Sequence, residues 1–174
     1  MISVIEEAFN TCKTLKKLDL SVNHIRKIEN LKCSELLELN LSKNQIDRII
    51  PGCLDGLKQL RTLDLSMNKI VKIEGLRPVA ATLERLILYG NQIEVIEGLE
   101  SMQKLKEINL KKNKIYGSSV SKLAGNPTLM QTLEVLNLSY NQIEDSDLEN
   151  VATVILQMKQ LKQLDLYGNP LADN

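Results

Sequence analysis

The chain has 174 residues, 43% of them hydrophobic, which is enough for one domain with a packed core. Its 22 basic and 22 acidic residues cancel, which disfavours nucleic acid or a charged membrane surface as the main partner. The sequence has no apolar run near the roughly 18 residues that a membrane span requires, and no signal-peptide pattern at its start. We therefore expect a cytoplasmic protein.

Residues 1–14 precede the first regular element. Apolar Ile2, Ile5 and Phe9 could form an N-terminal helical cap. They could also be the tail of a partial repeat whose strand is missing, because "ISVIEEAF" resembles "IVKIEGL" at residues 70–76. Both interpretations remain open at this point.

From residue 15 onwards the pattern L-x-x-L-x-L-x-x-N occurs seven times, with Ile108 in place of the second Leu in the fifth copy. It begins at Leu15, Leu36, Leu60, Leu83, Leu105, Leu133 and Leu161 and ends at Asn23, Asn44, Asn68, Asn91, Asn113, Asn141 and Asn169. Two residues after the first six Asn residues stands an Ile, and after the last one Leu171. The chain is thus predicted to be a single repeat domain over 1–174, with seven repeats in 15–174.

The repeat dictates its own packing. Alternation in L-x-L gives a short strand with one buried face, and one unit cannot bury that face alone. Stacked units pair these strands in parallel, and a buried Asn in each turn would cost about 1–3 kcal/mol unless it bonded to neighbouring backbone. We therefore predict an α/β fold, a right-handed leucine-rich repeat solenoid or horseshoe, with a parallel concave sheet of about seven strands.

Repeat length predicts the convex side. Successive Asn residues are 21, 24, 23 and 22 positions apart and then 28 and 28 apart. The short early repeats suit turns or 3₁₀ segments, and the last long repeats leave room for α-helices. A capping-box pattern over 146–149 predicts the start of a helix that extends to residue 158, and the fifth repeat predicts a shorter helix near 119–124. The sequence stops just after the seventh Asn, and because an uncapped solenoid exposes core, this end is consistent with one domain of a longer protein.

The motif "IEGL" at 73–76 and 96–99, within repeats of 21–24 residues, resembles one leucine-rich repeat subfamily. That subfamily is typified by the nuclear regulatory subunit of protein phosphatase 1 and by the axonemal dynein leucine-rich repeat light chain. The resemblance extends from Leu15 to about Leu105, and the longer repeats resemble the ribonuclease-inhibitor-like class. It implies a non-enzymatic scaffold that binds protein on its concave face, as a phosphatase-regulatory or cytoskeletal adaptor, with the cilium or flagellum as an alternative location to the general cytoplasm.

Residues with catalytic or metal-binding chemistry are few. The one histidine, His24, falls in a turn, and the eight glycines form no phosphate-binding loop. Cys12 and Cys33 share a column of the repeat in which all other residues are apolar, namely Leu57, Ala80, Met102, Met130 and Met158, which predicts core thiols. We accordingly expect no enzyme, no metal site, no cofactor and no small-molecule substrate.

Two columns of polar residues are interpreted as structural. Position two of the repeat alternates in sign over five strands, from Arg61 to Lys162, which predicts weak ion pairs between neighbours. Position five is Asp or Asn in every repeat except at Ile87, and two Asp residues never stand side by side in it. We interpret that spacing as avoidance of like charges about 4.8 Å apart.

The remaining outward positions give the predicted site. Exposed apolar and aromatic residues next to Arg and Lys are typical of interface anchors. Lys111 is expected to approach the Tyr89 ring. The predicted partner is a helix or small domain of another protein, bound by a chain that is monomeric by itself. The predicted partner-binding residues are Met67, Arg85, Ile87, Tyr89, Glu107, Asn109, Lys111, Val135, Tyr140 and Tyr167.

An alternative uses a basic patch in the fifth repeat. Five lysines lie there, Lys104, Lys106, Lys111, Lys112 and Lys114. They could contact an acidic surface such as a tubulin-like protein, phospholipid or nucleic acid. The zero net charge and the interruption by Glu107 favour an acidic protein over nucleic acid.

Overall fold

The computed structural model describes residues 1–172, so the last two residues of the predicted domain lie outside it. Seven strands pair in parallel and in chain order in one sheet. This arrangement confirms the predicted α/β solenoid of horseshoe type. The strands are β1 (Lys17–Asp19), β2 (Glu38–Asn40), β3 (Thr62–Asp64), β4 (Arg85–Ile87), β5 (Glu107–Asn109), β6 (Val135–Asn137) and β7 (Gln163–Asp165).

The apolar columns of the repeat form one continuous core. Strand register aligns the second Leu column, so that Leu39 of β2 pairs with Leu63 of β3 and Leu63 with Leu86 of β4. These side chains are almost completely buried in the middle repeats, whereas Leu18 and Leu164 in the terminal strands are only half-buried. Each strand therefore depends on a neighbour on both sides for full burial of its apolar face.

The predicted asparagine ladder is present. Asn91 donates from Nδ2 to the carbonyl oxygens of Leu88 in its own repeat and Leu65 in the preceding one, both at 3.0 Å. Its Oδ1 accepts the Ile70 N–H at 3.0 Å. The same three bonds recur at Asn44, Asn68, Asn113, Asn141 and Asn169. Each Asn consequently ties two consecutive coils together.

The convex side carries short helices that follow the predicted order. The 3₁₀ helices are Glu7–Thr11, Arg77–Val79, Gly117–Gly125 and Asp145–Asp147, and the α-helices are α1 (Leu129–Thr132) and α2 (Leu148–Ile155). The early repeats have turns or 3₁₀ segments and the α-helices occur in the two long repeats, as predicted. The helix expected near 119–124 is a 3₁₀ helix, and the helix expected to extend to residue 158 ends at Ile155. Within residues 1–172, no helix has the length and apolar character to cross a membrane.

The predicted capping box is wrong by two residues. The box forms between Glu144 and Asp147, with the Glu144 N–H donating to Asp147 Oδ2 at 3.0 Å. Ser146 cannot act as the N-cap because it already lies inside the 3₁₀ turn Asp145–Asp147, where its backbone is helical. An N-cap residue needs extended backbone, which Glu144 has (φ −103°, ψ 165°).

The N-terminal segment behaves like the convex part of a repeat. The Ile2 N–H donates to Asn23 Oδ1 at 2.7 Å, as the Ile25 N–H donates to Asn44 Oδ1 at 2.9 Å. Ile5 is fully buried, like the second Ile of the later I-x-x-I motifs. These contacts favour the partial-repeat interpretation of residues 1–14 over a separate helical cap.

Candidate functional site

Position five of the repeat has a backbone role that the sequence interpretation missed. In six of the seven repeats, the Asp or Asn Oδ1 accepts the N–H of the residue two places further on, at 2.8–3.1 Å. These are Asx turns, which fix the chain as it leaves each strand. The pairs are Asp19 with Ser21, Asn40 with Ser42, Asp64 with Ser66, Asn109 with Lys111, Asn137 with Ser139, and Asp165 with Tyr167.

Ile87 is the exception to this capping. Its side chain has no acceptor, and the Tyr89 N–H has no hydrogen-bond partner among the described residues. The repeat thereby forgoes a bond that typically contributes about 0.5–1.5 kcal/mol. Strand register places half-buried Ile87 between Asp64 of β3 and Asn109 of β5. Ile87 therefore places an apolar side chain in a column of Asp and Asn residues, and the fourth repeat lacks the Asx-turn hydrogen bond that stabilises the other repeats.

The strand residues around Ile87 form a fixed polar border. Arg85 points to the same face as Ile87, because the two are two positions apart on β4. Its guanidinium donates to the Glu107 carboxylate, with Nε–Oε2 at 2.7 Å and Nη2–Oε1 at 3.4 Å. This bond raises the pKa of Arg85. Val135 continues the column beyond Glu107. The central cluster is thus Arg85, Ile87, Tyr89, Glu107 and Asn109.

A second cluster lies towards the C-terminal end of the sheet. The Lys111 Nζ is 5.1 Å from the centroid of the Tyr140 ring, so the expected approach to Tyr89 is wrong. Tyr140 also meets Tyr167 edge to face, with ring centroids 5.4 Å apart and planes at 80°. Lys111 thus lies over the face of the Tyr140 ring, which is a favourable cation–π geometry.

Position eight of every repeat lies in the left-handed region of backbone conformation. Non-glycine residues rarely adopt it, because it brings the Cβ close to the following carbonyl at a cost of about 1–2 kcal/mol. Glycine occurs only at Gly90 and Gly168. A Cβ on Gly90 would lie 2.5 Å from Met67 Sδ, and one on Gly168 would lie 2.8 Å from the Tyr140 ring. The other five are Val22, Lys43, Met67, Lys112 and Tyr140, with φ of 54–56°.

Comparison with known families agrees with this geometry. Models described as Leucine rich repeat match residues 29–70 and 11–27, and a model described as Leucine Rich repeats (2 copies) matches residues 81–125 and 131–174. The chain belongs to the leucine-rich repeat family. A comparison with curated proteins finds no significant match.

Solved structures share the leucine-rich repeat fold with this chain, although their sequence identity to it is low. An internalin from Listeria monocytogenes aligns with a TM-score of 0.61 and 21% identity over 98% of this chain. The plant peptide hormone receptor RGFR1 in complex with RGF2 aligns with a TM-score of 0.58 and 22% identity over 96% of it. This chain spans 60% of the internalin chain and 30% of the receptor chain. These similarities establish the fold alone.

The charge ladder at position two of the leucine-rich repeats is largely as predicted. Glu84 lies between Arg61 Nη1 at 3.8 Å and Lys106 Nζ at 3.0 Å, and Glu134 meets Lys162 Nζ at 2.7 Å. Hydrogen bonding from Lys106 lowers the pKa of Glu84. The Glu84 contribution to stability is therefore present above the ordinary carboxyl pKa and is lost as pH falls through the lowered value.

Of the two predicted core thiols, Cys33 lies in the leucine-rich repeat core and Cys12 packs against it. Cys33 is fully buried, Cys12 and Cys53 are half-buried, and all three are free. Burial raises the pKa of Cys53 to about 11 and also raises that of Cys33. In residues 1–172, no three His, Cys, Asp or Glu side chains come together as metal ligands. His24 sits in an exposed turn, 3.1 Å from Gln45.

Proposed function

We propose that this leucine-rich repeat chain is a non-enzymatic scaffold that binds another protein on its concave face, centred on Ile87 and Tyr89. One observation carries the proposal: Ile87 replaces the capping Asp or Asn found in all six other repeats. Apolar side chains that the coil does not need are typical of interface anchors. Selection for a bound partner accounts for Ile87, whereas selection for the coil would favour Asn there.

The size and chemistry of the surface fit a helix or small domain. Strands in a parallel sheet lie about 4.8 Å apart, so the three strands from β3 to β5 offer a contact about 10 Å wide, the diameter of a helix. Half-buried Ile87 and Tyr89 supply apolar contact, and the Arg85–Glu107 pair at their border supplies polar groups. The plant receptor of similar fold is itself described in complex with RGF2.

The biological setting is a proposal that rests on the "IEGL" motif. Its resemblance to phosphatase-regulatory and axonemal dynein leucine-rich repeat proteins supports an adaptor role in the cytoplasm, the cytoskeleton or a cilium. The extent of the domain, residues 1–174 with a partial repeat at 1–14, belongs to the same proposal. The Asn ladder runs from Asn23 to Asn169 without a break, which supports one cooperative unit.

The function is tested with a double variant of the central cluster. We expect Ile87→Asn with Tyr89→Ala to reduce capture of the partner from an extract of the source cell at least tenfold, because the variant removes the apolar anchor. Asn is chosen over Asp because an aspartate would stand beside Asp64. Quantitative mass spectrometry of proteins retained by tagged wild-type and variant chains measures the effect.

A matched control makes the same chemical changes on the convex side. Val71→Asn with Tyr116→Ala replaces two exposed residues, of which Val71 is 58% and Tyr116 49% accessible. This control should retain wild-type capture. Undiminished capture by the folded double variant, or equal loss in the control, would overturn the proposed function.

A further inference from the structure

The edge of the sheet where the strands end has an unbalanced charge. We call this surface the strand-end edge and define it as positions seven to ten of each repeat, residues 21–24, 42–45, 66–69, 89–92, 111–114, 139–142 and 167–170. It contains no Asp or Glu, although the whole chain has as many acidic as basic residues. Its basic residues are Lys43, Lys69, Lys111, Lys112 and Lys114, with His24 in addition.

These five lysines are also free of ion pairs with residues 1–172. Elsewhere on the sheet the lysines are matched: Lys17 pairs with Glu38 at 2.9 Å and Lys106 with Glu84 at 3.0 Å. The Lys43 and Lys112 backbones are three repeats apart, or about 14 Å at the usual strand spacing. The strand-end edge therefore carries five lysines without ion pairs and no carboxylate on a neutral protein, and such a surface attracts negative partners.

Exposed apolar side chains stand beside the lysines of this edge, with Met67 between Lys43 and Lys112, and Val22 and Tyr140 in the flanking repeats. Val22 is 61%, Met67 40% and Tyr140 45% accessible, and all three occupy left-handed backbone at position eight. Glycine would relieve that strain, and Gly90 and Gly168 show that the fold accepts glycine there. Backbone strain retained under exposed apolar groups is typical of binding surfaces.

We propose that the strand-end edge binds an acidic segment of the partner polypeptide that also carries aromatic or other apolar side chains. Carboxylates of the segment meet Lys43, Lys69 and Lys112, and its apolar groups pack on Met67 and Tyr140. From the second repeat to the sixth the edge spans about 19 Å, the length of about six extended residues. This inference rests on the proposed function, because it gives the chemistry of the partner whose other contact is the central cluster.

The charge pattern favours a polypeptide over nucleic acid. Asp64 and Asp165 lie at the ends of their strands, directly beside the edge, and a polyphosphate with a charge on every unit would be repelled there. A peptide can place uncharged side chains at those points. Lys111 lies over one face of the Tyr140 ring and Tyr167 meets the ring edge to face, which leaves less ring surface for base stacking.

The probes are labelled polymers of defined chemistry. Fluorescence anisotropy would measure binding of a random glutamate–tyrosine copolymer, of polyglutamate and of a thymidine oligonucleotide, and flotation would measure binding to phosphatidylserine vesicles. We expect the copolymer to bind most tightly and its affinity to fall as salt concentration rises. A triple variant, Lys43→Glu, Lys69→Glu and Lys112→Glu, should weaken copolymer binding at least tenfold.

The matched control places the same three charge reversals away from the edge. Lys32, Lys58 and Lys159 are exposed and, among the described residues, also free of ion pairs, so Lys32→Glu, Lys58→Glu and Lys159→Glu give the same net charge. This variant should bind the copolymer within about twofold of wild type. An equal loss in both triple variants would overturn the inference, since net charge alone would then explain binding.

Other outcomes separate this inference from the proposed function. The acidic-segment inference is overturned if the wild type does not bind the copolymer. It is also overturned if the wild type binds the oligonucleotide or the vesicles more tightly than the copolymer and the edge variant loses that binding. Neither outcome affects the role proposed for the central cluster. Copolymer binding that depends on the edge supports the inference, even where Ile87→Asn with Tyr89→Ala leaves partner capture intact and so overturns the proposed function.

Discussion

Asn91→Ala should lower the free energy of unfolding by about 3 kcal/mol. The substitution leaves the buried Ile70 N–H without its acceptor and removes one of the bonds to each of the Leu65 and Leu88 carbonyl oxygens. The unpaired N–H contributes most of the loss, because both carbonyls keep a bond from another ladder Asn, Asn68 for Leu65 and Asn113 for Leu88. Urea unfolding followed by circular dichroism measures the change.

Asn23→Ala is the control from the same column. Asn23 stands at the end of the ladder, is only half-buried, and lacks a bond to a preceding repeat's leucine carbonyl. Its replacement should cost less than about 1.5 kcal/mol, since the groups it leaves are closer to water. Equal losses at Asn91 and Asn23 would show that the ladder does not carry the stability assigned to it.

Gly98→Ala should be comparably destabilising, on the order of 3 kcal/mol. Gly98 has a φ of +72°, and a Cβ at this position would lie 2.0 Å from the Ile73 carbonyl oxygen of the preceding repeat. A contact that short requires the two coils to separate, in addition to the backbone strain. The same crowding occurs at Gly75, where the Cβ would lie 2.4 Å from the Ile49 oxygen, and it explains the glycine of both "IEGL" motifs.

Gly125→Ala provides the matched control for Gly98→Ala. A Cβ on Gly125 would meet no heavy atom within 4 Å, and Gly125 is the last residue of a 3₁₀ helix. We expect its unfolding free energy to stay within about 0.5 kcal/mol of wild type. A Gly98→Ala protein as stable as Gly125→Ala would contradict the close packing of successive coils at the "IEGL" motif.

The core and the Asn ladder could be predicted from the sequence because the pattern that forms them recurs in seven repeats. Apolar residues in columns such as Leu36, Leu60 and Leu83 have one common explanation, burial, and repetition removes the ambiguity that any single short strand would have. A buried Asn likewise has only neighbouring backbone to bond. The change to longer repeats after Asn113 was enough to assign α-helices to the two long repeats, since only longer connections accommodate them. It did not place them, because residues 119–124 form a 3₁₀ helix and α1 lies at Leu129–Thr132.

Features that depend on local side-chain geometry were not predictable in this way. The box at Glu144 and Asp147 could not be distinguished by pattern from the one expected at Ser146, because both spacings are three residues. Lys111 has neighbours on both sides, and only the structure shows that it lies over the Tyr140 ring. Position five is Asp or Asn in six of the seven repeats, which is compatible with Asx turns. The avoidance of neighbouring like charges accounted for the same residues, so the sequence did not single out the turns.

The Asx turns show what the coil loses by having Ile87 at position five. From the sequence, Ile87 stood out as the one apolar residue in a polar column, but that column had no known backbone role. In the structure, six Asp or Asn side chains cap the chain two residues on, and Ile87 leaves the Tyr89 N–H uncapped. The exception therefore costs stability at the centre of the sheet, which singles it out from Val22 or Met67 as the first residue to test.

In the proposed function, Ile87 is retained for binding although the coil itself would favour Asn at this position. This role of Ile87 is tested most directly by the single variant Ile87→Asn, with urea unfolding and partner capture measured on the same preparation. We expect an unfolding free energy equal to that of wild type or up to about 1 kcal/mol higher, because Asn can cap the Tyr89 N–H, together with a severalfold loss of capture. A variant that loses more than about 1 kcal/mol of stability, or that captures the partner as well as wild type, would contradict this role.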